Sequence, residues 1–516
     1  MNSGQTYQDS LLIISLSMLV PAILLLLIYI SHAGSASPNG IDWTCFFLVV
    51  ATSIITFTPA WLQLQAGQFD LFHPLVYPAL VFILPNVLIK GMYLALGGYS
   101  TTLMGWGATK YFDLALICTA LGWVSMIVGF NLPAGVKLAR SIRSKKILLA
   151  RLDRWQATII PLGVGLICTY YLGREGAFGS SLNVFRGSYL YVSVLRPFSE
   201  WPSMCLFLLA YGVVRHRNMT TWRAAYYLAF AAVLALSFLS GSRGQCLYAV
   251  LMVMFARSSA ANTKYSPRKV LTWSVGILIL GFISFALVTQ YRTLRQNEYG
   301  YKAISFEGVY NLLHESAASM LSSKIYKTAD YVGEGLIVRF NAMDLLALTL
   351  ERYDSLKAAE AQVGINNNIV KDLVYGFIPR FIWHNKPITG KFGLWFSRLY
   401  SNTRYMTWSG PTVIGDLYRN FNYWGIPLGM IIVGIYLRFI YEMLCLYKRS
   451  AMSALCYYFM LIAINWEGGY SGFVTMGLRY IFTIVILFYI LKALGGFRQV
   501  SEAADRRPKF PAGQWM

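Results

Sequence analysis

Residues 112–131 read FDLALICTALGWVSMIVGFN, and residues 132–155 read LPAGVKLARSIRSKKILLARLDRW. The first stretch has the length and composition of a helix that crosses a bilayer, which takes roughly 20 apolar residues. The second carries Lys137, Arg140, Arg143, Lys145, Lys146, Arg151 and Arg154 before the chain turns apolar again at 156–172. A span followed by a short, densely basic segment is the pattern of a membrane helix leading into a cytoplasmic loop. Further apolar runs lie at 11–31, 45–63, 75–97, 196–214, 224–241, 245–257, 270–289, 423–444, 453–466 and 473–492. The pattern predicts an all-α polytopic membrane protein of about twelve transmembrane helices. Residues 11–31 have no preceding basic residues and no small-residue cleavage site, so they read as the first span and not as a signal peptide. The run at 245–257 is short, so it is either tilted or continued by its flanks.

Composition agrees. The 516 residues are 56% hydrophobic and 13% charged, with mean hydropathy +0.51, whereas soluble domains carry about 25% charged residues. Much of the surface must therefore face lipid. A net charge of +22 would point to nucleic acid in a soluble protein. Here the basic residues fall between apolar runs, so nucleic acid is not an expected partner and membrane lipid is. The seven cysteines lie in or beside apolar runs, as small buried hydrophobes do, and suggest neither disulfide nor metal.

Orientation follows from lysine and arginine. Besides 132–155, the segments 215–223 (Arg215, Arg217, Arg223), 257–269 (Arg257, Lys264, Arg268, Lys269) and 445–452 (Lys448, Arg449) are basic, as is the tail. The alternate segments 32–44 and 467–472 contain no lysine or arginine. Both termini are thus expected in the cytoplasm. The chain divides into spans one to nine within 1–289, a large external loop at 290–422, spans ten to twelve within 423–495, and a cytoplasmic tail at 496–516. Long loops are exempt from the charge rule, so the basic residues of 290–422 do not contradict this topology. Leu312, Leu313, Met320 and Leu321, then Leu345, Leu346 and Leu350, recur at helical spacing and predict amphipathic helix within 306–353.

Three groups of residues could carry chemistry. Ser240-Gly241-Ser242-Arg243-Gly244-Gln245 joins two spans at the external face. Small residues and a helix start expose N–H groups to an anion there, and Arg243 adds a fork suited to phosphate oxygens. The same residues would also make a tight turn whose arginine reaches the interface. Cations form the second group: Arg174, Arg186, Arg292, Arg295, Arg339, Arg380 and Lys386 lie in external segments and could together line an electropositive cavity. Each alone is equally a solvated charge. Arg479 lies inside span twelve, where an arginine is a functional candidate paired within the bundle, with Glu467 the nearest acidic residue in sequence. The third group, Asp416, Glu467, His384, His314 and Glu334, could accept a proton from a hydroxyl nucleophile or serve in ordinary ion pairs. Trp383, Trp395, Tyr400, Tyr405 and Trp408 could stack on sugar rings or belong to the interfacial belt. No phosphate-binding loop, dinucleotide fingerprint or HExxH motif is present, which disfavours ATP-driven transport, and no cofactor is expected.

Three elements occur together in this order. Ser-Gly-Ser-Arg-Gly at 240–244 heads a span, Ile378-Pro379-Arg380-Phe381-Ile382-Trp383-His384-Asn385-Lys386-Pro387 sits in the large loop, and Pro411-Thr412-Val413-Ile414-Gly415-Asp416-Leu417-Tyr418-Arg419-Asn420-Phe421 closes it. In this combination the chain resembles the Wzy-type O-antigen and exopolysaccharide repeat-unit polymerases over residues 170–445. The resemblance implies a GT-C-like helical bundle with a large helical periplasmic loop, in the bacterial inner membrane, with a periplasmic active site and no metal. It also implies an undecaprenyl-diphosphate-linked oligosaccharide as substrate, and a chain-length regulator and repeat-unit flippase as partners. Arg243, Arg380 and Lys386 match the family's basic motif positions, with Arg174 or Arg186 a further match. Asp416, Tyr418 and Asn420 fall in the closing motif, with Asp416 where the family commonly has glutamate. Alternative functions are an O-antigen ligase, which shares architecture and donor, and a lipid-linked oligosaccharide flippase.

Overall fold

The computed structural model describes residues 40–66, 69–141, 151–174, 189–216, 218–240, 243–261, 339–378, 391–400, 410–445 and 450–498, with Trp383 and single positions between 276 and 337. The expected span 11–31 lies outside these residues, as does 270–289 apart from isolated positions.

The described chain is helical, with two short antiparallel strand pairs. Helix α1 (Trp43–Gln65) starts where Asp42 accepts from the Cys45 N–H at 3.0 Å, an N-cap. Helix α2 (Ala79–Ala95) begins with π-type hydrogen bonding over Ala79–Ile89. Pro85 has no N–H to donate, and the ladder widens so that the Lys90 N–H reaches the Pro85 carbonyl. A hairpin of β1 (Tyr99–Ser100) and β2 (Gly105–Trp106) leads to α3 (Lys110–Asn131) and α4 (Pro133–Ser141). Next come β3 (Arg151–Leu152), α5 (Ile159–Arg174), α6 (Tyr189–Phe198), α7 (Trp201–Arg215), α8 (Thr220–Leu239) and α9 (Arg243–Ala261). The remaining elements are α10 (Ala342–Gln362), α11 (Asn368–Phe377), α12 (Lys391–Tyr400), α13 (Thr412–Cys445), α14 (Ala451–Ile462), α15 (Tyr470–Ala493) and β4 (Phe497–Arg498).

Among the described residues, six helical stretches are long and apolar enough to cross a membrane: Trp43–Gln65, Lys110–Asn131, Trp155–Gly173, Thr220–Phe238, Thr412–Leu444 and Gly472–Ala493. Ala79–Ala95, Gln245–Ala261 and Ala451–Ile462 are shorter apolar helices. The expected segment 245–257 is extended at both ends by α9. The expected span 196–214 is instead divided between α6 and α7, because Pro202 has no N–H to give the Phe198 carbonyl and its ring stops the ladder there, whereas Pro197 lies within α6. Apolar on every side and buried from Trp201 to Tyr211 apart from Ser203, α7 lies at the centre of one half of the bundle, with α5, α8, α9 and α14 around it.

In the other half α3 and α13 pack closely along their length. Glycines allow this: a Cβ on Gly129 would lie 2.2 Å from the Ile431 carbonyl oxygen, and one on Gly434 would lie 2.1 Å from that of Met126. The backbones touch, as at small-residue crossings of membrane helices. Gly129→Ala is therefore expected to destabilise the protein by about 1–3 kcal/mol through overpacking. Gly163→Ala, with nothing within 4 Å of the added carbon, serves as the neutral control in the same detergent melting experiment.

The large loop does not stay outside the bundle. Residues 342–350 of α10 are all buried, and α10 packs on α3 and α13. The amphipathic face expected here is thus replaced by a half-helix covered all round. Thr119, near the middle of α3, donates to Met343 Sδ at 3.6 Å, which shows how deep the head of α10 reaches. Helix α13 is broken at Asn422 (φ 58°, ψ −160°). Before the break, 412–421 folds back along 425–433: Leu417 lies against Gly425 and Gly429, and Ile414, Ile426 and Met430 all meet at Gly122. The transmembrane stretch expected at 423–444 thus begins just after the reversal.

Strand β3 pairs with β4 through Arg151–Arg498 and Leu152–Phe497. The basic segment after α4 and the start of the tail therefore share one end of the bundle. The β1–β2 hairpin, the head of α10 and the turn between α14 and α15 gather at the other, called here the hairpin end.

Candidate active site

At the hairpin end two backbone segments cross. Val413 N–H donates to the Trp466 carbonyl at 3.2 Å. A Cβ on Gly410 would sit 2.5 Å from the Gly468 carbonyl oxygen, and one on Gly469 would sit 2.9 Å from Asp416 Oδ2. Only glycine fits at either point, which explains Gly410 before the helix and Gly468-Gly469 in the turn. Thr412, at φ 72°, accepts from the Gly415 N–H at 3.2 Å and caps the helix that follows.

Asp416, Arg419 and Asn420 recur at i, i+3 and i+4 on that helix and share one face. They meet Glu360 near the end of α10 and Asn368 at the start of α11. The Arg419 guanidinium donates through Nε and Nη2 to both oxygens of Glu360 (2.7 and 2.6 Å). Nη1 donates to Asp416 Oδ1 (3.1 Å) and Asn368 Oδ1 (3.2 Å), and Nη2 also to the Ile365 carbonyl (3.3 Å). A guanidinium has five N–H donors, and all are used. Asp416 is fully buried and also accepts from Asn368 (3.3 Å) and Asn420 (3.2 Å). The Tyr400 hydroxyl donates to Glu360 at 2.7 Å. Burial, then the Glu360 carboxylate, holds that hydroxyl well above its ordinary pKa, so it remains a donor. One cation against two carboxylates, each carboxylate oxygen meeting at least one donor, makes a rigid pin that ties α10, α11 and α12 to the head of α13.

A second polar chain lies across the turn. Lys90 Nζ stands 3.5 Å from Asp344 Oδ2, both side chains about 1% exposed, and Ser100 donates to the same oxygen at 2.6 Å. Asn86, in the π-helical stretch, accepts from the Ala342 N–H (3.2 Å), the first residue of α10, and donates to Glu467 Oε1 (3.4 Å). The Glu467 charge also acts on the Tyr248 hydroxyl of α9. Glu467 itself is exposed. It sits on a turn bonded to the closing segment through the Val413 N–H and the Trp466 carbonyl, and α9, to which Tyr248 belongs, opens with Arg243.

The structure therefore separates the proposed carboxylates. Asp416 is enclosed and committed to Arg419; Glu467 is accessible. Tyr418 is buried beside Asp416, edge-on to Tyr353 (5.7 Å) and Tyr423 (4.9 Å), and Asn420 braces Asp416. Trp383 packs edge-on against Tyr375 of α11 at 5.5 Å. Arg174 closes α5, and Arg339 is exposed just before α10. Arg186, Arg292, Arg295, Arg380, His384 and Lys386 lie outside the described residues. One expected pairing is corrected: Arg479 bonds Glu200 (3.2 Å), not Glu467. Arg479 is more than two turns into α15 and faces the α6–α7 break, whereas Glu467 precedes the start of α15 and meets Asn86 of α2.

Arg419, Glu360, Asn368 and Asp344 were not anticipated. For Arg419 a signal existed in its i+3 spacing from Asp416. For Glu360 none did, because it lies in the charged second half of α10, where a solvated residue looks the same. No family model, curated protein or solved structure matches this chain.

Proposed function

We propose that this chain is a membrane glycosyltransferase of about twelve spans that polymerises undecaprenyl-diphosphate-linked oligosaccharide repeat units at the periplasmic face of the bacterial inner membrane. The observation that supports it most is the exposed Glu467, on a turn that bonds the closing motif through Val413 and Trp466 and whose charge reaches Tyr248 of the helix that opens with Arg243. Those are two of the three elements by which the chain resembles the Wzy-type polymerases.

In this function the hydroxyl of the incoming lipid-linked repeat unit gives its proton to Glu467 as it attacks the anomeric carbon of the growing glycan. The new glycosidic bond forms as the bond from that carbon to the carrier diphosphate breaks, and undecaprenyl diphosphate leaves. Charge grows on the leaving diphosphate, and fixed guanidinium groups stabilise it; Arg243 and Arg380 are assigned that task. Arginine suits it because it stays charged in a partly dehydrated site and presents two parallel donors. Asp416, locked to Arg419, is assigned the holding of the turn and not proton transfer.

The test is glycan length in a strain lacking the chromosomal copy. Arg243→Ala and Arg380→Ala are expected to abolish polymer while membrane levels stay normal, and lysine at either position to restore it partly. A polymerase defect leaves a single repeat unit attached to its acceptor, and a ligase defect leaves none. Normal polymer from both alanine variants would remove these residues from the reaction.

A further inference from the structure

Helix α6 packs against α15, and three charged residues meet where they touch. Arg479 lies seven residues inside the apolar stretch Gly472–Ala493, about 10 Å from its start at a rise near 1.5 Å per residue. Its Nη2 stands 3.2 Å from Glu200 Oε1. Arg196 of α6 is close enough for the two guanidinium charges to act on each other, and Glu200 acts on Arg196 as well. Two cations therefore share one carboxylate, leaving an excess positive charge within an apolar region, where such a charge is costly without a partner. Arg479 Nε is buried and has no acceptor among the described residues. The seam is still reachable: the Arg479 and Glu200 side chains are 21% and 28% exposed. Exposed Val194, Ile481 and Phe482 flank it.

We infer that the α6–α15 seam is a phosphate-binding site, in which Arg196 and Arg479 hold the phosphate or diphosphate group of a lipid whose tail lies along the flanking apolar side chains. An anion at the exposed part of the seam balances the second cation, and paired guanidinium forks match phosphate oxygens. The apolar flanks favour a lipid-borne phosphate over a free one. In taking that lipid to be the carrier, the inference rests on the polymerase proposal; the phosphate chemistry does not.

The test is direct binding to the full-length protein in phosphatidylcholine nanodiscs, with farnesyl diphosphate, farnesol and inorganic diphosphate as separate probes. Saturable binding of farnesyl diphosphate is expected, with farnesol silent and inorganic diphosphate weaker. Arg196→Ala should weaken farnesyl diphosphate at least about tenfold, the scale of a lost charge-assisted contact. Arg479→Lys should weaken it less, and Glu200→Gln should tighten it by removing the competing carboxylate. Binding unchanged in both arginine variants overturns the site. Equal affinity for inorganic and farnesyl diphosphate keeps the phosphate chemistry and overturns the lipid source. No glycan is present, so a protein that binds through these arginines but never extends a chain fails only as a polymerase.

Discussion

Arg419→Ala is expected to cost roughly 3–5 kcal/mol of stability, the usual result of stranding buried charge when one partner of an ion pair is removed. The loss is large because Arg419 is the described cation bonded to two buried carboxylates, Glu360 and Asp416. Neither can reach water, and the amides of Asn368 and Asn420 cannot neutralise both. Arg419→Lys keeps the charge but not five donors in one plane, so its melting temperature should fall between parent and alanine variant. Adding Glu360→Gln and Asp416→Asn to Arg419→Ala should recover part of the loss, because the stranded charges go with it. Size-exclusion profiles after heating in detergent would report all three. An alanine variant that melts with the parent would mean that the pin does not hold α10 to α13.

Glu467→Gln should show the opposite split. Its side chain is exposed, and glutamine can still meet the Asn86 amide at the 3.4 Å contact, so folding and expression should be unchanged. Loss of a positioned general base costs about 10²–10⁴ in rate. The loss should appear in kcat with KM for the lipid-linked unit little altered, because the proton moves only in the transition state. Asp416→Asn should instead lower stability first, with activity falling only as folded protein is lost. A Glu467→Gln protein that turns over at the parent rate would exclude Glu467 as the base.

The helices were legible because hydrophobic length and basic punctuation are local properties. The reversal at Asn422 was not, because a sequence pattern cannot show one apolar helix doubling back on the next; the spacing of Gly425 and Gly429 opposite Leu417 was its only trace. The division of 196–214 was foreshadowed by Pro202 but masked by continuous hydrophobicity. At the site, the crossing of 410–413 with 466–469 unites motifs more than fifty residues apart, and the glycines that permit it looked like ordinary turn residues. The pairing of Arg479 went to the carboxylate nearest in sequence, whereas Glu200 is nearest in space. Buried ionic residues such as Glu360 and Asp344 carry no local mark of burial, since the helix that covers them is set by tertiary packing.

Polymerisation itself can be measured without any cell. Purified protein in nanodiscs, supplied with one defined undecaprenyl-diphosphate-linked repeat unit and neither nucleotide nor metal, should yield a ladder of products each longer by one unit, with free undecaprenyl diphosphate released once per step. Repeat units that bind or cross the membrane yet are recovered at their original length, from protein shown to be folded, would contradict a glycosyl-transfer function for this chain.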